Sequence, residues 1–312
     1  MAKRVAFLFP GQGSQFVGMG KEWFEGSALA REIFQKADAM VGRPLSKTCF
    51  EGPEEDLKRT ENTQPGLYLC GVVGAALLAE AGVRAEATAG HSLGEYSALA
   101  AAGVFTWEDG LKLVQARGAA MNAAAESAKG TMAAILGLEE PQVVEACQKA
   151  QSAGVVGPAN FNGPGQIVIS GDVKGVEAAV EACKALGARR ALLLPVHGAF
   201  HSPLMEPAVS KMRAALAGAK LSAPGVKFLA NVTGDFMSDP EAIREGLAAQ
   251  ITSCVRWTDI MSKLIASGVD LFIEVGPGKV LGGIAKRMGK DIPCLSCSTP
   301  GDVAAAAQAA AN

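Results

Sequence analysis

The chain has 312 residues, of which 49% are hydrophobic, so it is long enough to bury a large core. Charged residues make up 19% and the formal net charge is −2, a balance that argues against a nucleic-acid partner and against disorder. The sequence contains no uncharged apolar run of membrane length, so we expect a cytoplasmic protein without a membrane partner.

The cysteines and histidines give little support for a metal centre. The seven cysteines are odd in number and widely scattered, as expected for reduced packing thiols. Cys294 and Cys297 have the spacing of a redox pair, but no second pair exists to build a zinc site. The three histidines form no His-Glu-x-x-His pattern, so we expect no metal site.

Helical and extended patterns alternate along residues 1–128. Residues 4–9 predict a strand that a Pro-Gly pair ends. Further along, the patterns predict helices at 19–41 and 66–82, an extended stretch at 83–89, a buried helix at 92–102, and a helix that starts at a Thr106 cap.

Residues 129–197 change rhythm and predict an inserted unit of order βαββαβ, the ferredoxin-like arrangement. The flanks, 1–128 and 198–312, alternate strands with helices and imply an α/β core with a mainly parallel sheet. In the second flank we predict a helix at 203–218 and strands at 226–230 and 269–275. The alanine-rich tail 303–312 is expected to fray.

The segment Gly90–Gly94 matches the nucleophile elbow Gly-x-Ser-x-Gly, with a short extended stretch before it and a helix after it. The glycines permit a sharp turn that exposes the Ser92 hydroxyl, and the helix N-terminus offers N–H groups to a developing oxyanion. The competing interpretation is a turn that merely packs closely; its strand and helix context favours the nucleophile.

Ser92 needs a base, because a serine hydroxyl is a weak nucleophile. His201 lies between a predicted strand and a predicted helix N-terminus, which would keep its imidazole neutral. His197 and His91 are weaker candidates, since one sits at a strand end and the other beside a sharp elbow. Neither Asp172 nor Glu206 is a convincing acid to orient the histidine, so the sequence predicts a Ser–His dyad.

Arg117 lies among apolar and small neighbours, where an arginine needs an anionic partner. Two interpretations stay open at this point. One is an ion pair with an internal carboxylate; the other is a bidentate clamp for a substrate carboxylate. The first loop, 10–15, fails both common phosphate-binding patterns, but a glycine loop after a core strand could approach the Ser92 site.

Together these motifs resemble the malonyl-CoA:acyl-carrier-protein transacylases of type II fatty acid synthesis. The resemblance spans nearly the whole chain and rests on segments 9–15, 90–97, 159–171, 198–202 and 272–278, with Arg117 in its helix. It implies an α/β hydrolase-like core, 1–128 plus 198–312, that carries a small ferredoxin-like subdomain at 129–197. It also implies transfer of malonyl from malonyl-CoA to acyl carrier protein in fatty acid biosynthesis, with no cofactor beyond the coenzyme A thioester that is the substrate.

The resemblance assigns roles to particular residues. Ser92 would carry the malonyl group and His201 would serve as base and then acid. Backbone N–H groups of Gln12 and Leu93 would form the oxyanion hole, and the main-chain carbonyl of Gln250 would orient the histidine. The substrate-binding residues would be Arg117, which holds the free carboxylate, with Asn160 and Asn162 in the cleft between subdomains and Phe200 before the histidine; for the two asparagines, plain turn chemistry is an equal alternative.

Three other functions compete with this one. A serine hydrolase or thioesterase would share the acyl-serine, but the missing acid and the arginine disfavour it. A non-enzymatic scaffold would be expected to lack Ser92, His201 or Arg117, whereas an acyltransferase that serves a polyketide synthase would have identical chemistry. We further expect a monomer, and we name candidate docking charges for an acidic carrier protein, which are otherwise a solvated face: Arg189, Arg190, Lys286, Arg287 and Lys290.

Overall fold

The computed structural model describes residues 3–196 and 198–312. The strands in this part of the chain are β1 (Val5–Phe9), β2 (Ala87–Gly90), β3 (Gly130–Leu136), β4 (Val156–Gly163), β5 (Gln166–Asp172), β6 (Arg190–Leu193), β7 (Lys227–Leu229), β8 (Leu271–Val275) and β9 (Cys294–Cys297).

The α-helices of the same residues are α1 (Lys21–Gly26), α2 (Ala28–Val41), α3 (Leu45–Glu51), α4 (Glu54–Lys58), α5 (Thr60–Glu80), α6 (Gly94–Ala101), α7 (Trp107–Ser127), α8 (Glu140–Ala150), α9 (Val173–Ala185), α10 (Glu206–Ala217), α11 (Pro240–Ala249), α12 (Trp257–Ala266), α13 (Val280–Met288) and α14 (Pro300–Ala311). None of these helices is long and apolar enough to cross a lipid bilayer.

A five-stranded parallel sheet, here the large sheet, forms the centre of the fold in the order β7-β2-β1-β8-β9. Every residue of β1 is buried, because helices cover both faces of a parallel sheet. Side chains alternate along the strand, so Phe7 and Phe9 join the core on one face while Ala6 and Leu8 join the core on the other. Because β7, β2 and β1 are adjacent and parallel, their carboxyl ends lie side by side, at the edge where open α/β sheets bind ligands.

A second, four-stranded antiparallel sheet, here the small sheet, has the order β4-β5-β3-β6. Its elements follow the predicted βαββαβ order, with α8 and α9 packed on one face around Ala133 and Ile135. Its other face contributes Met132 and Val168 to the main core. These two sheets confirm the predicted fold class; the division into subdomains at 129–197 stays a prediction.

The small sheet is joined to the segment that precedes α12 by main-chain hydrogen bonds at β4. The Phe161 N–H donates to the Val255 carbonyl over 2.9 Å, and the Val255 N–H donates to the Ala159 carbonyl over 2.8 Å. Asn160 lies between these two bonds, so this part of β4 is held in register with the segment that precedes α12.

Two predicted helices have different bounds in the structure. The helix predicted at 19–41 is two helices, since Ser27 is extended and caps α2 through its side chain. The helix predicted at 66–82 starts earlier, at Thr60, with Pro65 inside it. Pro65 cannot donate to the Glu61 carbonyl, and the Arg43 side chain takes that acceptor instead, over 2.5 Å.

The expectation that the C-terminal tail frays is wrong. Residues Pro300–Ala311 form α14, which begins with a capping box between Thr299 and Asp302 and buries Ala306 against the main core. Alanine runs have high helix propensity. The composition of the tail does not show the capping box that starts this helix. The Cys294 and Cys297 pair lies in β9, and burial raises the pKa of both thiols to about 12.

Main-chain packing is very close where β2 turns into α6. A Cβ placed on Gly90 would lie 1.9 Å from the Gly94 carbonyl carbon, and one placed on Gly94 would lie 2.1 Å from the Phe9 carbonyl oxygen. Both neighbours are backbone and cannot move aside. Glycine is therefore required at both positions to bring the turn against the end of β1.

We predict that Gly90→Ala lowers the free energy of unfolding by about 3 kcal/mol or more, because the added methyl group overlaps backbone. Urea unfolding followed by circular dichroism measures this. Gly283→Ala is the matched control: a Cβ there meets nothing within 4 Å, so the substitution should be neutral or stabilise α13 by about 0.5–1 kcal/mol. Equal stability of the two variants would contradict the packing argument.

Candidate active site

Ser92 sits at the tip of the turn between β2 and α6, with its backbone in the left-handed region at φ 51°. A non-glycine residue in that region is strained and persists only where its surroundings hold it. The Ser92 N–H donates to the side-chain oxygen of Asn231 over 2.7 Å, and the side-chain nitrogen of Asn231 donates to the Gly90 carbonyl over 2.7 Å. Asn231 therefore holds the strained turn from the side.

Ser92 and His201 form the predicted dyad geometry, since Oγ of the serine lies 2.8 Å from Nε2 of the histidine. Nδ1 of His201 faces two main-chain carbonyls, 2.9 Å from that of Gln250 and 3.1 Å from that of Ser253. A carbonyl can only accept, so Nδ1 carries the proton and Nε2 is free to accept the serine proton. His201 also has a left-handed backbone, at φ 59°.

No side-chain carboxylate orients His201 in the described residues; the two carbonyls do so. Asp172 lies elsewhere and caps α9, with its carboxylate accepting the Gly175 and Val155 N–H groups. Glu206 is exposed in the first turn of α10. The structure thus gives the geometry of a dyad, with Asp172 as a helix cap and Glu206 exposed.

Burial, followed by the positive charge of Arg117, lowers the pKa of His201 to about 3. The sequence had pointed to a helix N-terminus as the reason for a neutral imidazole. The residues after His201 first form a short 3-10 turn, Pro203–Met205, before α10 begins. Exclusion of water and the neighbouring guanidinium are the causes that the structure provides.

Arg117 projects from α7 into the same buried space and is fully inaccessible to solvent. Its Nη2 donates to Ser92 Oγ over 3.1 Å and to the Gln250 side-chain oxygen over 2.8 Å, so both partners are neutral. Nε is buried and has no partner among the described residues, and the guanidinium carbon lies 5.7 Å from the Tyr96 ring centroid. An arginine that keeps a donor in reserve beside the nucleophile is arranged to receive an anion.

Glu95 and Asn231 are buried site residues that the sequence reasoning missed. One oxygen of Glu95 accepts the Asn231 N–H over 2.8 Å and the other accepts the Gln250 side-chain nitrogen. Glu95 is the charged residue of α6, whose other residues are uncharged, so it could have been singled out in the same way as Arg117. Asn231 follows β7 at the ligand-binding edge of the large sheet, which was its only signal.

The N–H groups of Gln12 and Leu93 have no acceptor among the described residues. Leu93 directly follows the nucleophile, and the loop of Gln12 packs on the elbow: a Cβ on Gly11 would lie 2.5 Å from the His91 carbonyl oxygen. Because the Ser92 N–H is already bonded, these two are the donors that the site leaves available for an oxyanion.

Of the remaining predicted residues that the structure describes, two lie on β4 and one lies next to His201. Asn162 accepts a hydrogen bond from Nε2 of His91 over 2.8 Å, so it ties β4 to the elbow. Asn160 is buried in β4, and Phe200 is buried beside the dyad histidine. His197 lies outside the described residues. Asn160, Asn162 and Phe200 make no hydrogen bond to the Ser92 hydroxyl, and the described residues contain no cluster of three or more His, Cys, Asp or Glu that could hold a metal ion.

An elbow serine bonded to a neutral histidine, with free N–H donors beside it, defines an enzyme that transfers acyl groups through an acyl-serine. Comparison with known proteins agrees. Residues 6–307 match the model of the acyl transferase domain family. The chain is 44% identical over 306 residues to the malonyl CoA-acyl carrier protein transacylase of Bacillus subtilis, a match that covers 98% of this chain and 96% of the relative.

Solved structures give the same result. The acyl-carrier-protein-S-malonyltransferase from Bartonella henselae matches with a TM-score of 0.95 at 44% identity, over 98% of this chain and 99% of that one. A type II PKS acyl-carrier protein in complex with its malonyl-transacylase matches with a TM-score of 0.95 at 36% identity, over 98% and 99%. The chain therefore belongs to the acyl transferase family, among the malonyl CoA-acyl carrier protein transacylases.

We predict that the rate of Ser92 acylation does not fall as the pH drops through 6.5, the ordinary pKa of histidine. A base with its pKa near 3 stays unprotonated, so kcat/KM for acetyl-CoA should stay level as the pH falls from about 8 to about 5. Arg117→Ala removes one cause of the low pKa of His201, so the acylation rate of this variant should begin to fall at a higher pH. Stopped-flow acylation across this pH range is the measurement.

Glu95 must be separated from His201 in that experiment, because burial raises the pKa of Glu95 to about 7. A fall in rate near pH 6.5 that persists in a Glu95→Gln variant would contradict the assignment of a low pKa to His201.

Proposed function

We propose that this chain transfers the malonyl group from malonyl-CoA to the phosphopantetheine thiol of acyl carrier protein, through a malonyl-Ser92 intermediate, in fatty acid biosynthesis. The observation that carries the proposal is Arg117. Its guanidinium is fully buried, it donates to the Ser92 hydroxyl, and its Nε has no partner among the described residues. Such a group fits an acyl chain that ends in a carboxylate, as malonyl does.

In the first half-reaction, Ser92 Oγ attacks the thioester carbonyl while His201 Nε2 takes the hydroxyl proton. Negative charge on the carbonyl oxygen is received by the N–H groups of Leu93 and Gln12. The tetrahedral intermediate collapses, the carbon–sulfur bond breaks, and His201 returns the proton to the coenzyme A sulfur. The product is malonyl-Ser92, with the malonyl carboxylate against Arg117.

In the second half-reaction, the carrier thiol gives its proton to His201 and its sulfur attacks the malonyl-serine carbonyl. The ester bond to Ser92 breaks, and the serine oxygen takes the proton back from His201. Every proton and bond is accounted for by the dyad and the two thiols. The proposed reaction therefore needs no metal or other cofactor.

The main-chain support of His201 favours transfer over hydrolysis as the second step. The carbonyls of Gln250 and Ser253 fix the tautomer without adding the negative charge of a triad carboxylate. One observation supports the polyketide alternative: a similar structure is that of a malonyl-transacylase in complex with a type II PKS acyl-carrier protein. Transfer rates to a fatty acid carrier and to a polyketide carrier would separate the two pathways.

Three of the candidate docking charges, Arg189, Arg190 and Arg287, lie at one end of the small sheet. Arg190 on β6 and Gln166 on β5 flank the same residue of β3, Leu136, and the Arg287 side chain on α13 donates to Gln166. All five basic residues are exposed, namely Arg189, Arg190, Lys286, Arg287 and Lys290. They support a docking surface for an acidic carrier, and a cytoplasmic monomer stays part of the proposal.

Ser92→Ala should abolish the malonyl adduct after incubation with malonyl-CoA, because the attacking oxygen is lost. Intact-mass spectrometry of the protein gives the measurement, and unfolding curves check that the variant folds. Glu206→Gln is a suitable control, since this exposed carboxylate should leave the adduct yield unchanged. An adduct of equal yield on another residue of Ser92→Ala would refute the proposed nucleophile.

Arg117→Ala should reduce kcat/KM for malonyl-CoA by about 2–5 kcal/mol in transition-state free energy, the cost of truncating one partner of a buried charge pair. Acetyl-CoA has no free carboxylate, so its loading should be spared or improved. Both rates are read as radiolabel transferred to Ser92. Equal losses for the two acyl groups would show that Arg117 does not bind the substrate carboxylate.

A further inference from the structure

Between Glu95 and Arg117 lies the side chain of Gln250, and all three residues are buried. The Gln250 side-chain oxygen accepts from Arg117 Nη2 over 2.8 Å, and its nitrogen donates to the Glu95 carboxylate. The same nitrogen donates to the Ser92 carbonyl over 2.9 Å. A carboxylate and a guanidinium are therefore present in one buried network but are joined through an amide.

The chemistry of the partners fixes the direction of that amide. Arg117 can only donate, whereas the Glu95 carboxylate and the Ser92 carbonyl accept. The amide oxygen must therefore face the arginine, and the amide nitrogen must face the other two. Because Ser92 also requires the nitrogen, the orientation does not depend on Glu95 alone.

This separation decides what Arg117 can bind. A carboxylate in direct contact would occupy the guanidinium donors with a bidentate pair and would compete with any substrate carboxylate. A neutral amide takes one donor on Nη2 and leaves Nε free, as the structure shows. Above its raised pKa of about 7, Glu95 is ionised and provides negative charge within the network, which offsets part of the cost of burying the arginine.

We propose that the side chain of Gln250 is a specificity-determining spacer that keeps the Glu95 carboxylate off Arg117 and so leaves the guanidinium available to malonyl. The proposal deepens the proposed function and rests on it. It is separate from the main-chain carbonyl of Gln250, which contacts His201 and is retained in every substitution at this position.

The test exchanges the carboxylate and the amide between positions 95 and 250, so the number of carboxylates in the network does not change. In the double variant Glu95→Gln with Gln250→Glu, the network keeps one carboxylate and one amide, but the carboxylate now contacts Arg117. Glu95→Gln alone is the parent that lacks the carboxylate, and Gln250→Glu alone adds one. Glu177→Gln on α9 is an exposed control of the same chemical change.

Each variant is incubated with an equal mixture of malonyl-CoA and acetyl-CoA, and intact-mass spectrometry gives the ratio of malonyl-serine to acetyl-serine. Both thioesters compete for the same Ser92, so the ratio does not depend on the fraction of protein that is folded. We expect a fall of at least tenfold in Gln250→Glu and in the double variant, with a raised KM for malonyl-CoA.

Glu95→Gln and Glu177→Gln should give ratios no more than threefold below that of the unsubstituted protein, since removal of a carboxylate does not weaken an anion site. A double variant within threefold of the unsubstituted protein would overturn the spacer role, and so would a tenfold fall in Glu95→Gln alone. If the unsubstituted protein forms no malonyl-serine at all, the proposed function fails instead, and the two failures are thereby distinguished.

Discussion

The structure of this site depends on how one positive charge is buried beside a nucleophile. Arg117 is inaccessible to solvent, so its desolvation has to be offset within the protein. The chain does this with a hydrogen-bonded amide, an aromatic face and a carboxylate that Gln250 separates from it. The same charge helps to keep His201 neutral. In the proposed function, substrate binding and the protonation state of His201 are therefore coupled through one guanidinium.

The sequence predicted those features whose signals are local. The elbow is visible in Gly90–Gly94 because its turn needs glycine at fixed positions, and the order of the small sheet is visible because strand and helix periods differ. Arg117 stood out as a charge among apolar neighbours. The C-terminal helix was mistaken for a fraying tail because its burial depends on contacts with distant elements.

The polar network could not be derived from local patterns. Glu95, Asn231 and Gln250 are separated by more than a hundred residues of chain or lie on different elements, and what joins them is the edge of the large sheet. Without these positions, the lack of a plausible acid suggests only that some backbone carbonyl orients His201, and its assignment to Gln250 rests on family resemblance. The structure supplies the reason, since α11 ends at Ala249 and leaves the next carbonyl outside its helical ladder.

The left-handed backbone at Ser92 and His201 has an evolutionary consequence. Among the described non-glycine residues these two alone have positive φ, and they are the proposed nucleophile and its base. Glycine at either position would relieve the backbone strain, yet it would delete the reacting group. Selection for thermal stability therefore cannot remove this backbone strain without loss of activity, and greater stability would have to come from other sites, such as loops, helix caps or surface charges.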